Sequence, residues 1–234
     1  MHRVRTSLAS GPLICLVTDR RVLADSARDE GRARRQLLAV ISDCADAGVD
    51  LVQIREPGLP DRCLLELVRD AVDRTRATRA QVLVNDRPDV ALAAGAAGVH
   101  LKDDKRSATR VRTLGPRDWI VGRSVHGVAA ARRAAESGAV DYLLAGTVFA
   151  SASKPGRRPL GLEALRDIVR AVTLPVLAIG GVGPSDGSEV AATGASGVAG
   201  IRLFRFAATP ERRARVASLV QSLRAAFDRR GALD

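Results

Sequence analysis

The sequence predicts a single-domain α/β protein, a (β/α)₈ barrel. Apolar runs of strand length alternate with longer helical patterns, and eight such pairs follow one another within 234 residues. The predicted strands are continuous apolar runs, as expected of parallel strands that are buried on both faces. No GxGxxG sequence follows an early strand, which disfavours a doubly wound open sheet. Eight strand–helix pairs in a chain of this length are typical of the barrel.

The apolar spacing gives the order of the elements. Glycines at 48, 95 and 138 end predicted helices, and Pro88 suits the first turn of another. No interdomain linker is visible, so the barrel is predicted over 12–230, after a flexible N-terminal tail at 1–11. Strands are predicted at 12–19, 49–56, 80–86, 97–101, 117–125, 140–146, 174–181 and 196–201. Helices are predicted at 33–48, 61–77, 87–95, 107–115, 127–138, 162–172, 184–194 and 210–230.

Composition narrows the classes of partner. The formal net charge is +11, a field that favours small phosphorylated substrates. Aromatic residues make up 3% of the chain, too few to stack on bases, and no nucleic-acid motif is present, so no nucleic-acid partner is expected. No apolar run is long enough for a membrane span. The 3 cysteines lack CxxC spacing, which indicates a cytoplasmic protein without a disulfide framework.

The hexapeptide GRSVHG, residues 122–127, lies at the end of a predicted strand. The chain has 3 histidines, and His2 falls in the predicted tail, so His100 and His126 are the candidates for imidazole chemistry. Ser124 and His126 together suit acid–base catalysis, because imidazole titrates near neutral pH. Two alternatives stay open. In the first, His126 is a loop residue that hydrogen-bonds neighbouring backbone and has no catalytic role. In the second, His100 is a core side chain packed inside the barrel.

The carboxyl ends of barrel strands usually carry the active site. Glycines 180, 181 and 183, in the IGGVGP sequence after the seventh strand, allow backbone N–H groups to approach a phosphate closely. Arg202, after the eighth strand, adds a charged donor. The alternative is that these glycines only form tight turns. The other polar residues at predicted strand ends are Thr18, Asp19, Gln53, Arg55, Glu56, Asn85, Asp86, Arg87, His100, Ser124, His126, Thr147, Ser151, Ser153 and Lys154.

Motifs spread over roughly residues 12–205 resemble those of the thiamine phosphate synthase/TenI superfamily. In chain order they are TDR, VQIRE, VLVNDRPDVALAAGAAGVHL, GRSVH, AGTVFASASKPG and PVLAIGGV. The resemblance implies a barrel that acts on thiazole phosphate in thiamin biosynthesis. The synthase joins hydroxymethylpyrimidine diphosphate to thiazole phosphate and releases diphosphate, with Mg²⁺. The TenI-type thiazole tautomerase moves a proton to make the thiazole ring aromatic, without a metal cofactor.

The resemblance also implies residue roles. Gln53, Arg55 and Asn85 match pyrimidine diphosphate contacts of the synthase, and Asp86 matches a magnesium ligand. Glycines 180 and 181 match the turn that binds thiazole phosphate. In the tautomerase, His126 matches the base, and His100 is the second candidate. The residues that match diphosphate-binding positions are Ser124, Ser151, Ser153 and Lys154.

Two departures from the synthase pattern favour the tautomerase. Pro57 stands where QxRxK has lysine, and Lys105 stands where the second magnesium carboxylate is expected. If the protein is a synthase, Asp104 or Asp103 has to replace that ligand beside Asp86. The prediction is therefore a thiazole tautomerase, with thiamine phosphate synthase and a non-catalytic binder or regulator as alternatives. A homo-oligomer is compatible with the sequence.

Overall fold

The computed structural model describes residues 8, 11–24, 29–150, 156, 158–206 and 209–229. Eight parallel strands pair in chain order, and β1 closes the barrel by pairing with β8. The predicted (β/α)₈ barrel is therefore confirmed. The predicted tail at 1–11 lies almost wholly outside the described residues.

The strands fall inside the predicted ranges, and each is shorter than predicted. They are β1 Leu13–Val17, β2 Leu51–Ile54, β3 Gln81–Asn85, β4 Gly98–Leu101, β5 Ile120–Val125, β6 Tyr142–Gly146, β7 Val176–Ile179 and β8 Gly197–Gly200. The excess lies at the strand ends, where the predicted ranges include polar residues of the adjoining turns such as Asp19, Arg55 and Glu56.

The helices also follow the predicted order, with two differences. A helix of 4 residues, α1, was not predicted; Asp19 caps it by accepting the N–H of Arg21. The predicted helix at 184–194 divides into a 3₁₀ turn, Pro184–Asp186, and α8. The helices are α1 Arg20–Leu23, α2 Glu30–Asp46, α3 Asp61–Thr75, α4 Pro88–Ala93, α5 Ala108–Leu114, α6 Val128–Glu136, α7 Gly161–Arg170, α8 Gly187–Ala192 and α9 Arg212–Asp228.

Alternate strand residues form two cores, because successive side chains of a strand point to opposite faces. The larger core lies between the strands and the surrounding helices. The smaller core fills the barrel interior and excludes water from beneath the carboxyl end. Its fully buried members are Leu13, Cys15, Val17, Leu51, Leu83, Ile120, Tyr142, Leu144, Leu177 and Ala199.

A buried aspartate, Asp50, fastens the amino end of the barrel where β2 begins. Its Oδ2 accepts the backbone N–H of Ile14 at 2.8 Å and the guanidinium of Arg224 at 3.0 Å. Arg79 lies 2.8 Å from its other oxygen. The side chain of Asp50 is 5% exposed, so these partners compensate a buried charge and tie α9 to the first two strands.

The same arrangement recurs four strands later. Asp141 precedes β6 and accepts the backbone N–H of Val121 in β5 at 2.8 Å. It also pairs with Arg112 of α5, whose guanidinium bonds the carbonyl oxygens of Trp119 and Ala139. Both aspartates are paired with arginines and with a strand N–H group of the protein itself, so this end of the barrel has a structural role.

Within the described part of the chain, no helix has both the length and the apolar character needed to cross a membrane. Cys15, Cys44 and Cys63 are free thiols. Burial raises the pKa of Cys15 to about 12, and it also raises the pKa of Cys44. Both thiols therefore stay protonated at neutral pH and act as core side chains.

Candidate active site

Three predicted site residues form a chain of hydrogen bonds at the carboxyl ends of β2 and β3. The Nε2 of Gln53 donates to Oδ1 of Asn85 at 2.9 Å. The Nδ2 of Asn85 then donates to Oδ2 of Asp86 at 3.3 Å. Gln53 is 2% exposed, and its own Oε1 has no partner among the described residues. A buried acceptor without a partner is uncommon in folded proteins, and it is free to receive a hydrogen bond from a ligand.

The backbone of Asp86 has a left-handed conformation, with φ of +54°. Aspartate tolerates this region better than most residues. The N–H of Asp86 donates to the carbonyl of His100 at 2.9 Å. The N–H of Lys102 donates to Oδ1 of Asp86 at 3.0 Å. Contacts with the end of β4 therefore hold this half-buried carboxylate in place.

Arg55 follows β2 and is held from the β1 side. Its N–H donates to Oγ1 of the buried Thr18 at 3.0 Å, and its guanidinium lies 3.8 Å from Asp19. The side chain of Arg55 is 42% exposed, so the charge remains available at the mouth of the barrel.

A buried ion pair that was not predicted from the sequence involves Glu56, the residue after Arg55. Glu56 accepts the backbone N–H of Arg20 at 3.0 and 3.1 Å and its guanidinium at 3.3 Å. Burial raises the pKa of Glu56, although the bonds from Arg20 oppose this shift. Arg20 ends the TDR motif, so its position in that motif was the available signal. The pair fastens the loop after β1 to the loop after β2.

His100 lies wholly inside the barrel and contacts two hydroxyl groups. Its Nε2 is 2.9 Å from Oγ of Ser124, and its Nδ1 is 3.0 Å from the hydroxyl of Tyr142. Burial, assisted by the positive charge of Arg123, lowers the pKa of His100 to about 3. The ring is therefore neutral and packed in the core, as one alternative predicted, yet it touches the half-buried Ser124.

His126 is exposed just after β5, and its Nδ1 donates to the carbonyl oxygen of Gly146 in β6. The predicted alternative of a hydrogen bond to neighbouring backbone therefore describes its geometry. Because Nδ1 carries the proton in that contact, Nε2 of the neutral ring is left as an acceptor. A role as base stays a prediction.

The glycine-rich turn after β7 requires glycine at two positions. Gly180 and Gly181 have φ of +94° and +72°, a region that side chains rarely adopt. A Cβ at Gly180 would lie 2.6 Å from Cγ2 of Thr147, and one at Gly181 would lie 2.5 Å from the carbonyl oxygen of Ala150. The turn after β7 is thus packed directly against the loop after β6.

Other predicted anion contacts have different outcomes. Gly183 donates its N–H to Asp186 at 2.7 Å, so that donor is already engaged. Arg202 is exposed at the start of the 3₁₀ turn Arg202–Phe204 after β8. The predictions for Ser151, Ser153 and Lys154 fall outside the described residues.

The structure gives Asp104 partners other than the predicted metal ion. One oxygen lies 2.7 Å from the guanidinium of Arg123, and the other lies 3.2 Å from that of Arg133. Partial burial raises the pKa of Asp104, but the bonds from Arg133 and Arg123 outweigh it and the net pKa is lowered. Asp103 is also engaged, accepting the N–H of Lys105 at 2.9 Å. The described residues contain no group of three metal-ligating side chains.

The closed barrel carries amide, carboxylate and hydroxyl groups at the carboxyl ends of β2 to β5 and glycines after β7, at the end where barrel enzymes usually have their active sites. A family model described as thiamine monophosphate synthase matches residues 22–204. The chain belongs to this family, which confirms the resemblance noted in its motifs.

Individual relatives agree. The thiamine-phosphate synthase of Methanoculleus marisnigri is 41% identical over 179 residues, which cover 76% of this chain and 83% of the relative. That of Gloeobacter violaceus is 39% identical over 178 residues, and the match spans 76% of this chain but only 52% of the relative. A solved structure, thiamine phosphate pyrophosphorylase from Pyrococcus furiosus, has a TM-score of 0.76 at 30% identity, covering 92% of this chain and 96% of its own. These names favour the synthase, predicted as the alternative, over the tautomerase.

Proposed function

We propose that the protein is a thiamine-phosphate synthase, which joins hydroxymethylpyrimidine diphosphate to thiazole phosphate and releases diphosphate. The observation that carries the proposal is the hydrogen-bonded chain from Gln53 through Asn85 to Asp86. Gln53 and Asn85 match pyrimidine diphosphate contacts of the synthase, Asp86 matches a magnesium ligand, and the three residues meet at one edge of the barrel mouth. The similarity to thiamine-phosphate synthases supports the same activity.

The two substrates bind opposite parts of the mouth in this proposal. Gln53 and Asn85 orient the pyrimidine diphosphate, and Arg55 neutralises its charge through a charge-assisted hydrogen bond. The backbone N–H groups at 180 and 181, with Arg202, bind thiazole phosphate. The predicted contacts outside the described residues, Ser151, Ser153 and Lys154, complete the diphosphate site.

The donor set at Asp86 fits Mg²⁺. This ion is usually held by one or two carboxylates together with substrate phosphates, and it keeps several waters. Asp86 supplies one fixed carboxylate, whereas Asp104 is engaged by two guanidinium groups. Asp86 would therefore hold the ion with the diphosphate oxygens. When bound, Mg²⁺ stabilises the negative charge that develops on the departing diphosphate.

Both substrates are small phosphorylated molecules, consistent with the net charge of +11. The free thiols support the expected cytoplasmic location. A homo-oligomer stays a prediction.

The test is an assay with both substrates and Mg²⁺ in which thiamine phosphate is measured. We expect product from the wild type and a large loss in Asp86→Asn. Asp73→Asn is the matched control, because Asp73 lies on α3 in an exposed pair with Arg76. Absence of product from the folded wild type contradicts the proposal, and binding of both substrates without turnover supports the non-catalytic binder instead.

Thiazole tautomerase is the second candidate, favoured by the exposed His126, whose Nδ1 is bonded to Gly146 and whose Nε2 has no partner among the described residues. An acceptor nitrogen at the mouth of the barrel is suited to abstract a proton from a bound ring. Conversion of the thiazole carboxylate phosphate tautomer without Mg²⁺, abolished in His126→Asn, would support it. Equal rates in wild type and variant, or no conversion by either, would exclude it.

A further inference from the structure

A row of three polar side chains runs from the barrel interior to its mouth. Tyr142 and His100 are wholly buried, and their ring centroids are 5.6 Å apart. The hydroxyl of Tyr142 meets Nδ1 of His100, and Nε2 of His100 meets Oγ of the half-buried Ser124. Ser124 is the member of the row that a substrate can reach.

Strand register brings these side chains together. His100 of β4 pairs with Gly122 of β5, and Gly122 pairs in turn with Tyr142 of β6. A Cβ at Gly122 would lie 2.2 Å from Cζ of Tyr142. The missing side chain on the middle strand therefore lets the tyrosine reach across β5 to the histidine.

Proton counting gives the row a direction. The low pKa of His100 leaves the ring neutral, with one N–H, and burial raises the pKa of Tyr142, so that its hydroxyl keeps its proton. Among the described residues, Nδ1 of His100 is the acceptor within hydrogen-bond distance of that hydroxyl. Tyr142 therefore donates to Nδ1, the ring proton resides on Nε2, and Nε2–H donates to Ser124.

We infer that Tyr142 is a positioning residue that makes the Ser124 hydroxyl a hydrogen-bond donor toward the substrate diphosphate. Ser124 accepts from His100, so its own proton is free to point into the mouth. With the opposite tautomer, Ser124 would donate to Nε2 and present lone pairs to an anion, which is repulsive. The role of the diphosphate rests on the proposed function, but the tautomer does not.

The direct test is the nitrogen-15 NMR spectrum of the imidazoles, which distinguishes protonated from unprotonated ring nitrogens. The chain has only 3 histidines, and the spectrum of His126→Asn identifies one of them. We expect the wild-type His100 to carry its proton on Nε2. A proton on Nδ1 overturns the inference, whether or not the protein is a synthase.

Two variants test the effect on the ligand. In Tyr142→Phe we expect a mixture of His100 tautomers, binding of inorganic diphosphate with Mg²⁺ weakened about 5-fold, and kcat lowered about 10-fold with a smaller change in KM. In a Ser124→Ala background, Tyr142→Phe should cause no further loss, because Tyr142 acts through Ser124. Ile120→Val, which removes one methylene from the same interior, should leave the tautomer unchanged. A full additional loss in the double variant, or unchanged diphosphate binding in Tyr142→Phe, overturns the inference.

Discussion

The two ends of the barrel use polar side chains differently. At the amino end, Asp50 and Asp141 are surrounded by arginines and strand N–H groups, so their charges are satisfied within the protein. At the carboxyl end, Oε1 of Gln53 has no partner among the described residues, and the guanidinium of Arg55 is exposed. A closed set of partners stabilises the fold, whereas spare donors and acceptors are available to a ligand.

Burial alone does not identify a functional residue. Asp50 and Gln53 are both nearly inaccessible and lie only three positions apart, one just before β2 and the other within it. Neither Oδ1 of Asp50 nor Oε1 of Gln53 has a hydrogen-bond partner among the described residues. What separates them is that Oδ1 of Asp50 still lies 2.8 Å from the guanidinium of Arg79, whereas Oε1 of Gln53 has no ionic partner. Substitutions should therefore lower stability at one end and activity at the other.

The largest effect is expected for Asp50→Ala. Its loss leaves the N–H of Ile14 and the guanidinium of Arg224 without their shared carboxylate, which for a buried charge pair costs about 3–5 kcal/mol. Urea unfolding measures the change. Asp73→Ala, in an exposed pair with Arg76, should cost less than about 1 kcal/mol. Equal losses in the two variants would erase the distinction between the two ends.

Asp86→Asn should lower the rate of thiamine phosphate formation at least about 100-fold, or roughly 2.7 kcal/mol of activation free energy. The physical reason is that the amide removes the negative charge that would hold Mg²⁺. Because Asp86 is half-buried, the substitution should change the free energy of unfolding of the protein by less than about 1 kcal/mol. A variant that loses stability instead of activity would place Asp86 with the structural aspartates.

His100 should make stability depend on pH. In the unfolded chain imidazole titrates near pH ~6.5, whereas in the folded protein the pKa of His100 is lowered to about 3. Between these values the unfolded state binds the extra proton, so stability is lost as pH falls. From pH 7 to pH 5 the loss from this group is about 2 kcal/mol. Urea unfolding should show a smaller loss of stability in His100→Gln than in the wild type; equal losses in the two proteins would refute this assignment.

Gly181→Ala should have the smallest effect, about 1–2 kcal/mol of stability, with KM for thiazole phosphate raised about 5-fold. The added Cβ would lie 2.5 Å from the carbonyl oxygen of Ala150, so the turn must shift. Gly138→Ala is the matched control, because its φ is also positive, at +60°, but its surroundings are open. A similar KM change in both variants would mean that the turn after β7 does not bind phosphate.

The sequence was sufficient for the fold, because the strands are mostly apolar and helix-ending glycines mark several of the boundaries. It also placed Gln53, Asn85 and Asp86 together, since carboxyl ends of neighbouring strands meet at one edge. The short helix α1 escaped prediction because 4 residues carry too little periodicity.

Other parts of the site depend on contacts that no local pattern reveals. Tyr142 lies in an apolar strand and looks like a core residue; its link to His100 follows from register across Gly122. Asp104 is bonded by Arg123 and Arg133, which lie 19 and 29 positions away along the chain. Only folding shows that this carboxylate is neutralised by arginine.

The most direct measurement follows the complete reaction of the wild-type protein with hydroxymethylpyrimidine diphosphate, thiazole phosphate and Mg²⁺. We predict that the wild type forms thiamine phosphate and diphosphate in equal amounts. Both products should nearly disappear in Asp86→Asn, whereas Asp73→Asn should form them at the wild-type rate. Folded protein that forms no thiamine phosphate, or an Asp86→Asn variant as active as the wild type, would contradict it.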